Sequence, residues 1–254
     1  MAFPKYEDIV VEVSGGIGVI KFNRPKSLNA FGGNMIPEAI DALRILNDHS
    51  DTTFTVITGE GRFFSAGADV RGTELMRSMI DHKKIVVLAL NGPAVGAGAA
   101  WFPGVADIVL ASDKTYFQIP FSALGLVPEN GSAVIFAQSM GVHRANEFLM
   151  FGTKLSAQDM EKYGIVNKIF PSEGFHGYVK KYLEEHLKDK DAKSMMEVKR
   201  LQNASTRDQR IVAVFNSVDA LSERFVEGAP VERFKLKMQE LEGKCPFHSM
   251  TVWI

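Results

Sequence analysis

Cysteine is almost missing from this chain of 254 residues: Cys245 stands alone, so no internal disulfide can form and no metal cluster can be built on thiolates. A reducing compartment fits that usage best. An excess of positive charge is missing too. Lys plus Arg number 29 against 30 Asp plus Glu, a net charge of −1, which gives no drive to neutralise a phosphate backbone. Nucleic acid is therefore not an expected partner. Charge blocks, low-complexity tracts, internal repeats and a dividing linker are also lacking. The start, MAFPKYEDIV, has neither the apolar core of a secretory signal nor the Arg-rich character of a transit peptide, and the end, TVWI, is not the SKL-type peroxisomal address. Residues 85–106 carry no charge over a length that could cross a bilayer, but Asn91, Gly92, Pro93, Gly96, Gly98, Pro103 and Gly104 interrupt them. That stretch reads as a strand, a turn and a short buried helix, and no membrane span is expected.

What is present suits a folded core: 46% of residues are apolar and 23% charged. Ile9–Val13 and Ile17–Phe22 flank Ser14-Gly15-Gly16 and predict a hairpin. From Asn34 to Leu46 the apolar residues Ile36, Ala39, Ile40, Leu43 and Leu46 keep helical spacing. Thr53–Thr58 and Ile85–Leu90 read as buried strands, each ended by a turn residue, and Ala106–Ala111, Thr115–Ile119 and Gly164–Phe170 as further strands. Beyond Ser132 helices dominate. Ser156 with Asp159 is a variant capping box stopped by Gly164. A long stripe (Ile211, Val214, Phe215, Val218, Leu221, Phe225) and an amphipathic tail over Val231–Leu241 need covering by their own domain or another subunit. An α/β core with a helical C-terminal third is the class these patterns give.

Familiar chemical motifs fail on inspection. Gly96-Ala97-Gly98-Ala99-Ala100-Trp101 has tryptophan where a dinucleotide fingerprint needs its third glycine. No glycine-rich loop ends in Gly-Lys-Ser/Thr, and Phe63 breaks the nucleophile elbow around Ser65. The histidines at 49, 82, 143, 176, 186 and 248 are scattered without metal-ligand spacing. No metal is expected.

Two segments remain: GRFFSAGAD at Gly61–Asp69 and NGPAVGAG at Asn91–Gly98, each after a predicted strand. Small side chains at such turns let a ligand reach main-chain N–H groups, and two converging amides would make an oxyanion hole. Close strand–helix packing is the alternative reading of each alone.

Together with ADIVLAS and YFQIPFSALGLVPENGS, these segments give a chain that resembles the crotonase (enoyl-CoA hydratase/isomerase) superfamily over about Val11 to Phe170, most similar to the peroxisomal-type Δ3,Δ2-enoyl-CoA isomerases. The resemblance implies an α/β fold in which ββα turns wind into a spiral over residues 1–195. It also implies a helical region at 196–254 used in trimerisation, as a homotrimer or dimer of trimers, and an acyl-CoA substrate. By the same resemblance Ala68 and Ala97 supply the oxyanion-hole amides. Ser27, Asn29, Ala30, Ser65 and Ala66 lie along the CoA moiety, and Asp69 is a helix cap or ligand neighbour. Peroxisomes are the implied compartment, against which the missing address leaves the cytoplasm open.

The acids separate the reactions. Hydratases that resemble this chain use two glutamates, whereas here Ala100 and Phe121 occupy those positions. Glu129, in Leu126-Val127-Pro128-Glu129-Asn130-Gly131, falls where the similar isomerases keep a single catalytic carboxylate. One base suffices to move a double bond without cofactor, metal or covalent intermediate. Apolar neighbours would raise the pKa of Glu129 and the helix expected from Ser132 would lower it; read without the resemblance, Glu129 is a helix-start charge in water. By the same resemblance Trp101 to Asp107 has one residue more than related sequences, with Pro103 and Gly104 ending the helix early or bulging it, and Trp101, Phe102 and Phe121 are expected along the acyl chain. Hydration, thioester hydrolysis and acyl-CoA binding without turnover are the rival readings.

Overall fold

The strand-forming runs that end at Thr58 and Leu90 become neighbouring central strands. In a computed structural model, which describes residues 3–67 and 72–244 (main chain only for 241–244), the N-terminal hairpin is β1 (Ile9–Ser14) and β2 (Ile17–Phe22). Helix α1 (Met35–Asn47), β3 (Phe54–Gly59), α2 (Thr73–Ile80) and β4 (Ile85–Leu90) follow. Next come β5 (Ala94–Val95), the one-turn helix α3 (Ala97–Ala100), β6 (Ile108–Ser112), β7 (Tyr116–Gln118) and α4 (Ser132–Met140). Then follow α5 (Val142–Phe151), β8 (Leu155–Ser156), α6 (Ala157–Lys162), β9 (Lys168–Phe170), α7 (Phe175–Leu187), α8 (Ala192–Val226) and α9 (Ala229–Lys244).

The main sheet has the order β1-β2-β3-β4-β6-β9, parallel except for the hairpin, and β5, β7 and β8 form a second small sheet. Parallel strands covered on both faces carry continuous apolar runs, which is why every residue of β3 and β4 is buried. One face packs Phe22, Ile57, Leu88 and Leu90 against α1 and α2, and the other sets Phe54, Val56, Val87 and Leu110 against Phe175, Val179 and Leu183 of α7.

The expected hairpin turns through Gly15 and Gly16 at positive φ, and the Ser156 capping box is formed by both reciprocal bonds. The late strand is shorter than expected because Ile165 and Val166 return their amides to the Met160 carbonyl and close α6 instead of entering the sheet. The small second sheet was not expected; strands of two or three residues leave no readable alternation. Helix α8 starts well before the stripe that announced it, with Asp191 capping the Ser194 amide at 2.7 Å, so a boundary at 195/196 falls inside one continuous helix.

Polar groups tie α8 to the sheet. Asp107 Oδ2 accepts from the Val86 amide and from Lys199 Nζ, each at 2.7 Å, and Lys199 also donates to the Lys84 carbonyl. Burial holds the Lys199 ammonium below its ordinary range, and Asp107 opposes that loss. Nearby, buried His82 shares a 2.8 Å hydrogen bond with Thr55. Burial, together with the charges of Lys199 and Lys84, pushes its pKa from 6.5 down to about 3.

The unfolded chain takes up that proton near pH 6.5 and the folded chain refuses it until about pH 3, so the stability present above pH 6.5 drains away as pH falls between those values. His82→Gln, which never titrates, should remove a slope of about 1.4 kcal/mol per pH unit from that window. Denaturant melts at pH 7, 5 and 4 measure it, and parallel pH profiles for the two proteins would refute it.

Candidate active site

The two glycine-rich turns leave the C-terminal ends of adjacent parallel strands, the usual place for a ligand in such sheets. They are laced together through the main chain. The Phe64 amide donates to the Pro93 carbonyl and the Val95 amide to the Ser65 carbonyl, both at 3.0 Å, and Ser65 pairs with Ala94 as a parallel bridge. Contact this close excludes side chains. A Cβ on Gly92 would lie 2.1 Å from the Arg62 carbonyl oxygen, and one on Gly98 2.8 Å from Ser65 Cβ. Gly67, at φ +85°, would place a Cβ 2.7 Å from Val95 O and 3.0 Å from Ala97 N.

Two asparagines brace the turns. Asn29, fully buried, accepts from the Arg24 amide and donates to the Glu60 and Phe63 carbonyls. Asn91 accepts from the Gly59 amide and donates to the Gly61 and Phe63 carbonyls. Ser65 donates to the Asn29 carbonyl and accepts from the Gly67 amide, so the side chains of Asn29 and Ser65 are spent on the scaffold. The Ala66 amide donates to the Leu28 carbonyl and the Ala30 amide to Ser27 O, which folds 27–30 against the first turn. Asn91 was legible only as a turn former.

Ala97 is the first residue of α3, where an amide has no carbonyl of its own helix to bond, and Gly67 brings the first turn against it. Ala68 and Asp69, read as the other oxyanion-hole position and its neighbour, lie outside the described residues.

Glu129 is not the solvated helix-start charge that one reading of the sequence allowed: it is 5% exposed. Trp101 Nε1 donates to Glu129 Oε2 at 3.0 Å, one of the contacts that hold the carboxylate. Asn130 Oδ1 and Ser132 Oγ beside it are buried and find no partner among the described residues. The turn is set by Asn130 and Gly131 at positive φ. Helix α8 backs it: the Gly131 amide donates to Ser217 Oγ at 3.1 Å, and a Cβ on Gly131 would meet Val214 N at 3.2 Å.

The segment 101–107 brings Trp101 to Glu129. Helix α3 stops at Ala100, and the chain turns through Pro103 to Gly104, where a Cβ would fall 1.7 Å from Ile135 Cγ2 of α4. That approach carries Trp101 to the turn before α4. Trp101 and Phe102, expected along the acyl chain, are both fully enclosed. The indole stacks on Phe31 with centroids 5.1 Å apart, and Phe102 packs among Phe22, Phe31 and Phe64. Phe121 is also buried, its ring 4.0 Å from the position of a Cβ on Gly96. Trp101 thus touches both Glu129 and Phe31, the residue after segment 27–30, while a cleft of about 540 Å³ between residues 81–84 and α8 sits at the opposite ends of the strands. No group of three or more metal-ligating side chains occurs among the described residues, and no described helix is long and apolar enough to cross a membrane.

The sequence profile of the enoyl-CoA hydratase/isomerase family matches residues 12–232. The chain belongs to the enoyl-CoA hydratase/isomerase family. It is similar to enoyl-CoA delta isomerase 2 of Rattus norvegicus, with 36% identity covering 71% of this chain and 50% of that protein. It is also similar to 3,2-trans-enoyl-CoA isomerase of Saccharomyces cerevisiae, with 29% identity covering 90% and 93%. A crystal structure of an enoyl-CoA hydratase from Mycobacterium avium subsp. paratuberculosis K-10 superposes with a TM-score of 0.86 at 27% identity, covering 93% of this chain and 98% of that one. The chain spans about half the length of the rat and human enoyl-CoA delta isomerase 2 proteins. This member of the enoyl-CoA hydratase/isomerase family has the expected crotonase fold, a mixed α/β body with a helical C-terminal region.

The lacing of the turns makes a stability prediction. Gly67→Ala should lower stability by about 1–3 kcal/mol through strain and crowding. Gly177→Ala, within α7 where a Cβ meets nothing within 4 Å, should raise it by about 0.5–1 kcal/mol. Thermal melts that rank the two variants the other way would contradict the close approach of the turns.

Proposed function

We propose that this protein is a Δ3,Δ2-enoyl-CoA isomerase in which Glu129 moves one proton. The observation that carries the reading is the buried Glu129 carboxylate, held by Trp101, in a chain whose two glycine-rich turns are laced together through the main chain and which has Ala100 and Phe121 where a hydratase would need its two glutamates. Relatives named as isomerases support it.

In this scheme the amides of Ala68 and Ala97 donate to the thioester oxygen of a 3-enoyl-CoA. Glu129 takes a proton from C2, the C2–H electrons enter the π system as a dienolate, and the same carboxyl returns the proton at C4, leaving the 2-enoyl product and the starting carboxylate. No cofactor or metal enters any step. Segment 27–30 with residues 65 and 66 contacts the CoA moiety through main-chain groups, because its polar side chains serve the scaffold. Glu129→Gln should lower turnover of 3-hexenoyl-CoA at least about 100-fold while leaving the melting temperature close to that of the parent. Unchanged isomer formation would defeat the reading. A product heavier by one water would favour hydration, as would release of free CoA for hydrolysis.

The subunit arrangement belongs to the same proposal. Val214 and Leu221 of the α8 stripe turn inward, while Phe215 (53% exposed), Val218 and Phe225 stay on the surface with Val231 and Leu236 of α9. A trimer, or dimer of trimers, would cover them. Light scattering at micromolar concentration should give a multiple of three chain masses, and a monomer would count against it.

A further inference from the structure

An indole N–H donates and cannot accept. Glu129 Oε2 receives the Trp101 bond, and a carboxylate accepts it more strongly than a carboxylic acid would. The indole is not free to turn away. It is fully enclosed, it stacks on Phe31 at an interplanar angle of 17°, and a Cβ on Gly72 would come within 2.5 Å of its ring. The donor direction is thus fixed by packing, and the carboxylate conforms to it.

We propose that Trp101 is a positioning residue for the double-bond shift: by donating to Oε2 it fixes the plane of the Glu129 carboxyl and favours the ionised form that collects the proton. This rests on the isomerase reading. C2 and C4 flank one carbon, so a single oxygen poised over C3 reaches both, and the acid–base group need not rotate between the two transfers. The carboxylate gains the proton from C2 as the dienolate forms and gives it to C4 as the dienolate collapses; the Trp101 bond persists throughout.

The charged groups on the elements around Glu129 stay in place in the test. On α8, Arg210 lies one turn before Val214 and interacts with Asp107. On α2, Glu74 pairs with Arg44, and Arg77 lies 4.0 Å from Asp81. Helix α3 is uncharged, the first turn of α4 holds no acidic group, and Asp69 and Arg71 belong to the segment outside the described residues.

Two substitutions remove the donor. Trp101→Phe keeps an aromatic ring on Phe31. Replacement of Trp101 by benzothienylalanine, in a Trp253→Phe background that leaves no other tryptophan, keeps the bicyclic shape and exchanges N–H for sulfur. With glutamate labelled by carbon-13 at Cδ, the Glu129 resonance is the one missing from Glu129→Gln, and its titration is followed directly. Both substitutions should raise its midpoint by about one pH unit. The acid limb of kcat/KM for 3-hexenoyl-CoA should move equally, with KM nearly unchanged. An unmoved midpoint in both proteins overturns the proposal, as does a loss of activity uniform across pH, which is what packing alone would give. The carbon titration reads the carboxyl whether or not the protein isomerises anything. An inactive parent would therefore sink the functional reading while the hydrogen-bond effect is judged separately.

Discussion

Main-chain bonding between the turns after β3 and β4 is the constraint on which the remaining architecture rests. Two loops leaving neighbouring parallel strands normally diverge, each with its own side chains to accommodate. Here they approach until peptide groups hydrogen-bond across them, so bare backbone is demanded at Gly67, Gly92 and Gly98. The asparagines at 29 and 91 answer the carbonyls that the irregular chain leaves over, a use of side-chain amides that satisfies buried backbone without another strand. The outcome is a region that presents main chain instead of side chains.

The acid arrives from a different part of the chain. Glu129 stands on the turn before α4, and its placement depends on contacts remote in sequence: Gly104 against Ile135, Gly131 against Val214, and the Ser217 hydroxyl under the Gly131 amide. Helix α8 is thus a wall of the site as well as a candidate surface for association. Its two faces divide accordingly, with Val214 and Leu221 inward and Phe215 and Phe225 outward.

Much of this was legible in the residues. Runs of β-branched and apolar residues gave β3 and β4, Gly15-Gly16 gave the hairpin, Ser156 with Asp159 gave a helix start, and the small residues of the two turns gave their close backbone packing. Those signals are local, and local physics decides them. The pairing of Trp101 with Glu129 was not legible, since a tryptophan beside Phe102 reads as one more apolar residue and the sequence does not show which way an indole N–H points. Asn91 looked like a terminator because its work as a brace depends on three groups in another turn. The front half of α8 was missed because its polar, exposed sequence has no stripe, its anchors being Lys199 and the capping Asp191.

That helix joins two ends of the molecule rigidly. Lys199 grips Asp107 near the start of β4, while Ser217 and Val214 support the turn that bears Glu129, and no break in α8 separates them. From Lys199 to Val214 is fifteen residues, a strut about 22 Å long at a rise of about 1.5 Å per residue. A single inserted or deleted residue along it would rotate one anchor by about 100° relative to the other. Adding a whole turn would restore the facing but carry one anchor about 5.4 Å along the axis, so the length of that span is fixed by the lysine at one end and the serine at the other, whatever its outward side chains.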